Sequence, residues 1–340
     1  VTTWAPDVLG DGYQQLTIPL GTDPDGEGEL EATLVRYQPA STSTSRAVLY
    51  VHGFTDYFFQ QHLAEHFAAQ GYAFFALDLR KCGRSLRPGQ TPHFVTDLRA
   101  YDVELNAALQ LVREQIGTGG DVLLVAHSTG GLIVPLWLDR LQRRPQGTAG
   151  AGVAGLVLNS PWFDLQGPAL LRSAGTTAAI DALGRLSGKT PVPGQKLDTY
   201  GSSLHVSSNG EWHYNLDWKP LSGFPVTFGW LRAVRRGHAQ LHRGLDIGVP
   251  SLILRSKSTV FASRYNPTVD GADAVLDVDQ IAKWAGCLGN RTTIVPIEGA
   301  RHDVFLSTEK PLATAFAELD LWLTWLDAHT TTARRTGAGA

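Results

Sequence analysis

Asp121 to Leu132 constrain the fold more than any other stretch of the chain. Val122, Leu123, Leu124 and Val125 form an apolar run that reads as a buried strand. The run stops at Ala126-His127-Ser128-Thr129-Gly130, and Leu132, Ile133, Leu136, Trp137 and Leu141 then recur at helical spacing. A strand that becomes a helix with no loop between them leaves Ser128 on a sharp, strained turn, its hydroxyl raised over the sheet. Small residues two positions either side, Ala126 and Gly130, permit the close backbone approach such a turn needs. Pro135 falls inside the helical stretch and removes one of its backbone hydrogen bonds.

The same alternation of strand and helix runs along most of the chain. Tyr13 to Leu20 and Leu30 to Tyr37 read as an opening antiparallel pair, joined by an Asp/Pro/Gly turn. Further strands are expected at Ala47 to Val51, Ala73 to Leu79, Leu156 to Asn159, Pro250 to Leu254 and Thr292 to Pro296. Helices are expected near Gln61 to Gln70, from Asp97 as N-cap to Gly117, near Val278 to Ala285, and through Leu312, Phe316, Leu319, Leu323 and Leu326. This pattern implies a mostly parallel central sheet with helices on both faces and functional groups at the carboxyl ends of the strands. From Leu165 to Gly244 the alternation breaks down. That segment, rich in Gly, Ser, Thr and Pro, carries seven aromatics (Tyr200, Trp212, Tyr214, Trp218, Phe224, Phe228 and Trp230) and reads as an inserted cap. The expected organisation is therefore a discontinuous core, 10–164 and 245–329, a cap at 165–244 and a disordered tail at 330–340.

Composition narrows the partners. A net charge of -3 without long single-sign runs argues against nucleic acid or an anionic membrane, and for a small neutral ligand. Cys82 and Cys287 stand alone, with neither CxxC nor Cys/His clustering, so no disulfide framework or metal site is signalled. No apolar run approaches the roughly 18 residues that span a bilayer, and the first residues have no basic start or apolar core. A cytoplasmic protein without stable membrane insertion is the expectation; a start at Val1 and the absence of Met leave a processed precursor open.

With His52-Gly53-Phe54 after a central strand, Asp78-Leu79-Arg80 leading to Gly83-Arg84-Ser85, the Ser128 turn, and a Gly-x-x-His segment ending at His302, the chain resembles the α/β-hydrolase family. The likeness is closest to its branch of monoglyceride lipases, lysophospholipases and serine-aminopeptidase-like hydrolases, and it spans about Tyr13 to Asp327 apart from the cap. Ala126 stands where the family's Gly-x-Ser-x-Gly has its first glycine. The resemblance implies an α/β-hydrolase fold and a serine hydrolase that uses neither metal nor organic cofactor.

Site residues follow from both readings. Ser128 needs a base, because an unassisted serine hydroxyl is a poor nucleophile. His302, in a short loop after the last strand, is expected to take its proton and return it to the leaving group. Asp273 precedes His302 by 29 residues, resembles the family's acid in place, and is expected to orient the imidazole. Asp164 is its rival, since some family members carry the acid after the preceding strand, and the long loop Ser256 to Gly271 departs from the family pattern. Asp277 reads as a helix-start residue. The resemblance implies an oxyanion hole built from the backbone amides of Phe54 and Thr129. His52 and His127 are expected to support their turns. Trp212, Trp218, Phe224, Phe228 and Trp230 are candidates for an apolar substrate pocket, whereas Arg232, Arg235, Arg236 and Arg243 read as solvated helix-surface charges.

The resulting expectation is cleavage of a carboxylic ester with an apolar moiety, through an acyl-enzyme on Ser128. Amide or peptide hydrolysis and acyl transfer would use the same groups. A fold retained for ligand binding without turnover is the reading from another class. Halide cleavage is disfavoured, because it would need Asp in place of Ser128.

Overall fold

Alternate side chains of the central strands feed two separate cores, and this sets the layers. The computed structural model describes residues 3–38, 44–117, 119–167, 169–193 and 198–337. Its strands are β1 (Ala5–Pro6), β2 (Tyr13–Thr22), β3 (Glu29–Tyr37), β4 (Arg46–Val51), β5 (Ala73–Asp78), β6 (Asp121–His127), β7 (Val153–Asn159), β8 (Ser251–Ser256) and β9 (Thr292–Ile297). They form one sheet in the order β1-β2-β3-β5-β4-β6-β7-β8-β9. The first pairings, through β3 with β5, are antiparallel, and all those from β5 with β4 onward are parallel.

The helices are α1 (Gln61–Ala69), α2 (Asp102–Ile116), α3 (Gly130–Gln142), α4 (Gly147–Gly150), α5 (Ala174–Leu186), α6 (Asp198–Leu204), α7 (Phe228–Leu241), α8 (Val278–Trp284) and α9 (Glu309–Gly337). On one face, Leu49, Val51, Leu124 and Ala126 pack with Leu105 of α2, Trp137 of α3 and Ile281 of α8. On the other, Val48, Tyr50, Leu123 and Val125 pack with Phe67 of α1 and Leu319 of α9. A period-two strand buried on both faces requires this arrangement.

One expectation needs correction. Asp97 does cap, accepting from the Arg99 amide at 3.0 Å, but it caps a short 3₁₀ turn, Leu98–Tyr101, that precedes α2. Over residues 330–337, the start of the expected disordered tail, the backbone continues α9; residues 338–340 lie outside the described part. Extending an existing helix avoids the cost of nucleating one, so a polar end can follow a packed beginning. Among the described residues no helix is long and apolar enough to cross a membrane.

The chain leaves β4 to one side to make β5 and returns on the other to make β6. The crevice beyond β4 and β6 is therefore a topological switch point, the place where open α/β sheets bind ligands. The segment between β7 and β8 holds α5, α6 and α7. Its Tyr200 and Leu204 pack with Tyr57, Phe59 and Leu306 near the same end of the sheet.

Candidate active site

Ser128 has φ 51°, in the left-handed region that costs a residue with a Cβ about 1–3 kcal/mol. The turn is held by its own backbone. The Ser128 amide donates to Asn159 O at 3.0 Å, while its carbonyl accepts from Gly131 at 2.9 Å and Trp162 at 3.0 Å. A methyl group on Gly130 would meet His52 O at 2.4 Å, and one on Gly53 would meet Ser128 Cβ at 2.8 Å. Two glycines thus let the loop after β4 touch the turn after β6.

From the loop after β9, His302 reaches Ser128 Oγ with Nε2 at 3.0 Å and Asp273 Oδ2 with Nδ1 at 2.9 Å. With Nδ1–H donating to the carboxylate, Nε2 is left to accept from the serine hydroxyl. That polarity lets the imidazole take a proton from Ser128 as a new bond forms at Oγ. Ser128, His302 and Asp273 are 8%, 2% and 0% exposed, so the chain of bonds is shielded from bulk water.

Asp273 reaches its place despite the long loop, because the loop leaves and returns. Beyond β8, the Asp273 amide donates to Ser258 O and the Val260 amide to Asp273 O, both at 2.9 Å. This bridge brings Asp273 beside the strand end as a short loop would. Its Oδ1 accepts from the amides of Val275 at 2.8 Å and Leu276 at 2.7 Å, which fixes the carboxylate and leaves Oδ2 for His302. Asp164 is engaged elsewhere: its oxygens accept from the Leu165 amide, Arg235 and Trp284 Nε1. Asp277 caps α8.

Several supporting groups escape sequence reasoning. Asn159, at the end of β7, donates to Asp303 Oδ1 at 2.6 Å and accepts from the Val304 amide at 3.0 Å; Gln60 donates to Asp303 Oδ2 at 3.1 Å. These bonds join the loop bearing His302 to the strand beside Ser128. The signal available was thin: Asp303 follows His302 directly, and Asn159 ends a strand. His52 accepts from the Leu79 amide at Nε2, and Nδ1 donates to Gly53 O, while His127 bonds Asn159 O, so both histidines brace turns. Burial lowers the His127 pKa. Asp78 accepts from the amides of Phe58 and Arg84 and pairs with the Arg84 guanidinium, giving the Asp78 to Ser85 motif a structural task.

The backbone N–H groups of Phe54 and Thr129 have no acceptor among the described residues. Both belong to residues lining a cavity of about 280 Å³ that opens onto Ser128 and His302. Its walls include Trp162, Phe224, Val226, Trp230 and Leu276. Phe224 and Trp230 are thus at the cavity, and Trp230 lies against the Phe54 ring at 4.2 Å. Trp212, Trp218 and Phe228 are not among its walls. Trp212 stacks on His62 and donates to Leu306 O, Trp218 sets its edge against Tyr57, and Phe228 is half-buried at the start of α7. Two of the four arginines also depart from the solvated reading: Arg232 pairs with Asp181 and Arg235 with Asp164, whereas Arg236 and Arg243 are exposed.

One charged wall residue was not foreseen. Lys219 is buried and donates to Asp56 Oδ1 at 2.8 Å and Thr55 O at 3.3 Å. Burial pushes the Asp56 carboxyl up, but the Lys219 charge and the nearby His127 and His52 outweigh it and leave its pKa below the usual value. Among the described residues no cluster of three or more His, Cys, Asp or Glu side chains is suited to a metal ion.

The family model described as serine aminopeptidase, S33, matches residues 42–309. Among solved structures, a soluble variant of the Saccharomyces cerevisiae monoglyceride lipase, in complex with a substrate analogue, is 18% identical. The match covers 97% of this chain and 94% of that one, with a TM-score of 0.59. A thermostable carboxyl esterase from Bacillus coagulans, in complex with glycerol, is 14% identical over 93% and 99% of the two chains, with a TM-score of 0.60. The monoacylglycerol lipase of Paleococcus ferrophilus is 16% identical over 92% and 99%, with a TM-score of 0.54. No curated protein matches the sequence significantly.

Proposed function

The chain belongs to the serine aminopeptidase S33 family and has the α/β-hydrolase fold, and on that premise we propose that it is a serine hydrolase cleaving carboxylic esters with an apolar moiety. The observation that carries this reading is the hydrogen-bonded series Asp273, His302, Ser128, with contacts of 2.9 and 3.0 Å, ending at a cavity walled in part by Trp162, Phe224, Val226, Trp230 and Leu276. Ser128 Oγ attacks the ester carbonyl while His302 Nε2 takes the hydroxyl proton. The carbonyl oxygen, now negative, accepts from the free amides of Phe54 and Thr129, and Asp273 stabilises the imidazolium. Collapse breaks the bond to the alcohol, which leaves with the proton from His302, and an acyl group stays on Ser128. Water, deprotonated by His302, then attacks that acyl carbonyl, and the acid departs as the proton returns to Ser128. No step draws on a metal or organic cofactor.

Residues 165–244 act in this account as a cap over the core formed by 10–164 and 245–329, and Phe224 and Trp230 contact the apolar part of the substrate. The substrate is a small neutral ester, a class also suggested by the esterase and monoglyceride lipase neighbours. Release of an amino-terminal residue is disfavoured on one observation: among the described residues the cavity walls include Lys219 but no Asp or Glu to hold a substrate ammonium. Hydrolysis of p-nitrophenyl esters of graded chain length, beside amino-acid anilides, tests the proposal. Turnover of esters should exceed that of anilides, and Ser128→Ala should lose roughly 10⁴-fold or more in kcat. Unchanged ester hydrolysis by Ser128→Ala would refute it.

A further inference from the structure

The loop that presents the Phe54 amide cannot hold its shape unaided. Thr55, a β-branched residue, has φ 51°, which local sterics oppose. On the core side its amide donates to His93 Nε2 at 3.0 Å. Residues 215–224 supply further hydrogen bonds to the same loop. The Phe224 amide donates to Thr55 Oγ1 at 2.9 Å, and the Asn215 amide to Tyr57 OH at 2.7 Å. Lys219 Nζ spans the middle, bonded to Thr55 O at 3.3 Å and Asp56 Oδ1 at 2.8 Å, while Asp56 Oδ2 accepts from the Gly53 amide at 3.5 Å. Lys219 therefore acts on both neighbours of Phe54: directly on Thr55, and through Asp56 on Gly53.

We propose that Lys219 is a positioning residue that holds the Phe54 amide in line with the developing oxyanion. This rests on the ester hydrolase reading above. Donors aimed at a transition-state charge contribute only when aligned with it, and the ground-state ester needs them less. The consequence is specific. Losing the clamp should depress kcat and leave KM nearly unchanged, whereas a lysine serving mainly as cavity wall or substrate contact would alter KM.

The test compares wild type, Ser128→Ala, Lys219→Met, Lys219→Arg and Thr55→Val in p-nitrophenyl ester hydrolysis, with near-UV circular dichroism to establish folding. Lys219→Met should lose about 10–100-fold in kcat with KM within about 3-fold. Lys219→Arg, which keeps charge and donors, should recover most of that loss. Thr55→Val, which removes only the acceptor of the Phe224 amide, should lower kcat in the same manner and decides the matter if Lys219→Met does not fold. A folded Lys219→Met with wild-type kcat, or with its loss confined to KM, overturns the proposal. So does unchanged kcat in Thr55→Val where that variant is the deciding one. If wild type itself shows no Ser128-dependent turnover, the hydrolase reading fails first and the positioning role falls with it.

Discussion

At Ser128 a strained residue is flanked by two glycines that no other residue can replace without displacing the backbone. Gly53→Ala places a methyl group 2.8 Å from Ser128 Cβ. The shift it forces should lower kcat by about 100-fold, the scale of an ångström's misplacement in a reacting pair, as measured by ester turnover. The two candidate acids separate equally clearly. Asp273→Asn keeps the shape but removes the charge facing His302 Nδ1 and should cost roughly 10⁴-fold in kcat. Asp164→Asn should stay within about 3-fold of wild type in kcat while losing about 1–3 kcal/mol of stability, read from urea unfolding, because it weakens its bonds to Arg235 and Trp284. Ser128 was legible in the sequence because a strand, a turn and a helix adjoin within a dozen residues. Asn159, Asp303 and Gln60 were not, since their bonds join positions 144 and 243 residues apart.

Individual strands and helices were legible wherever an unbroken apolar run or a helical repeat marked them, as in β4, β6 and α3. The segment between β7 and β8 was not, because an aromatic there serves substrate or packing according to contacts made elsewhere. Trp212 and Trp218 turn to Leu306 and Tyr57, whereas Phe224 and Trp230 turn to the cavity. Helix α7 also carries a pH dependence. Burial, reinforced by the nearby Arg235 charge, lowers the pKa of His238 from 6.5 to about 3. Between those values the unfolded chain binds a proton that the folded chain does not. The stability linked to this group is therefore complete above pH 6.5 and is lost progressively as pH falls toward 3, at up to about 1.4 kcal/mol per pH unit. The urea midpoint should fall on going from pH 7 to 5, and His238→Gln, which can still donate to Trp162 O, should flatten that decline. An equally steep decline in the variant would assign the effect to other groups.

At the scale of the whole molecule, the sheet supplies the fixed strand ends, and the segment at 165–244 supplies much of the cavity wall. Ester size is therefore expected to be tuned from Val226 and its neighbours without touching Ser128. Val226→Phe should shift the preferred p-nitrophenyl ester to shorter chains, with a 10-fold or greater loss on the longest one, since a few methylenes are worth about 1–3 kcal/mol each in an apolar pocket. An unchanged chain-length profile would remove Val226 from the substrate's path. The central claim is that His302 and Asp273 make Ser128 a nucleophile. Reaction with a fluorophosphonate, followed by intact mass and peptide mapping, reads it most directly. Wild type should gain one adduct, located on Ser128, and Asp273→Asn should label far more slowly; absence of an adduct, or one placed on another residue, would contradict the account.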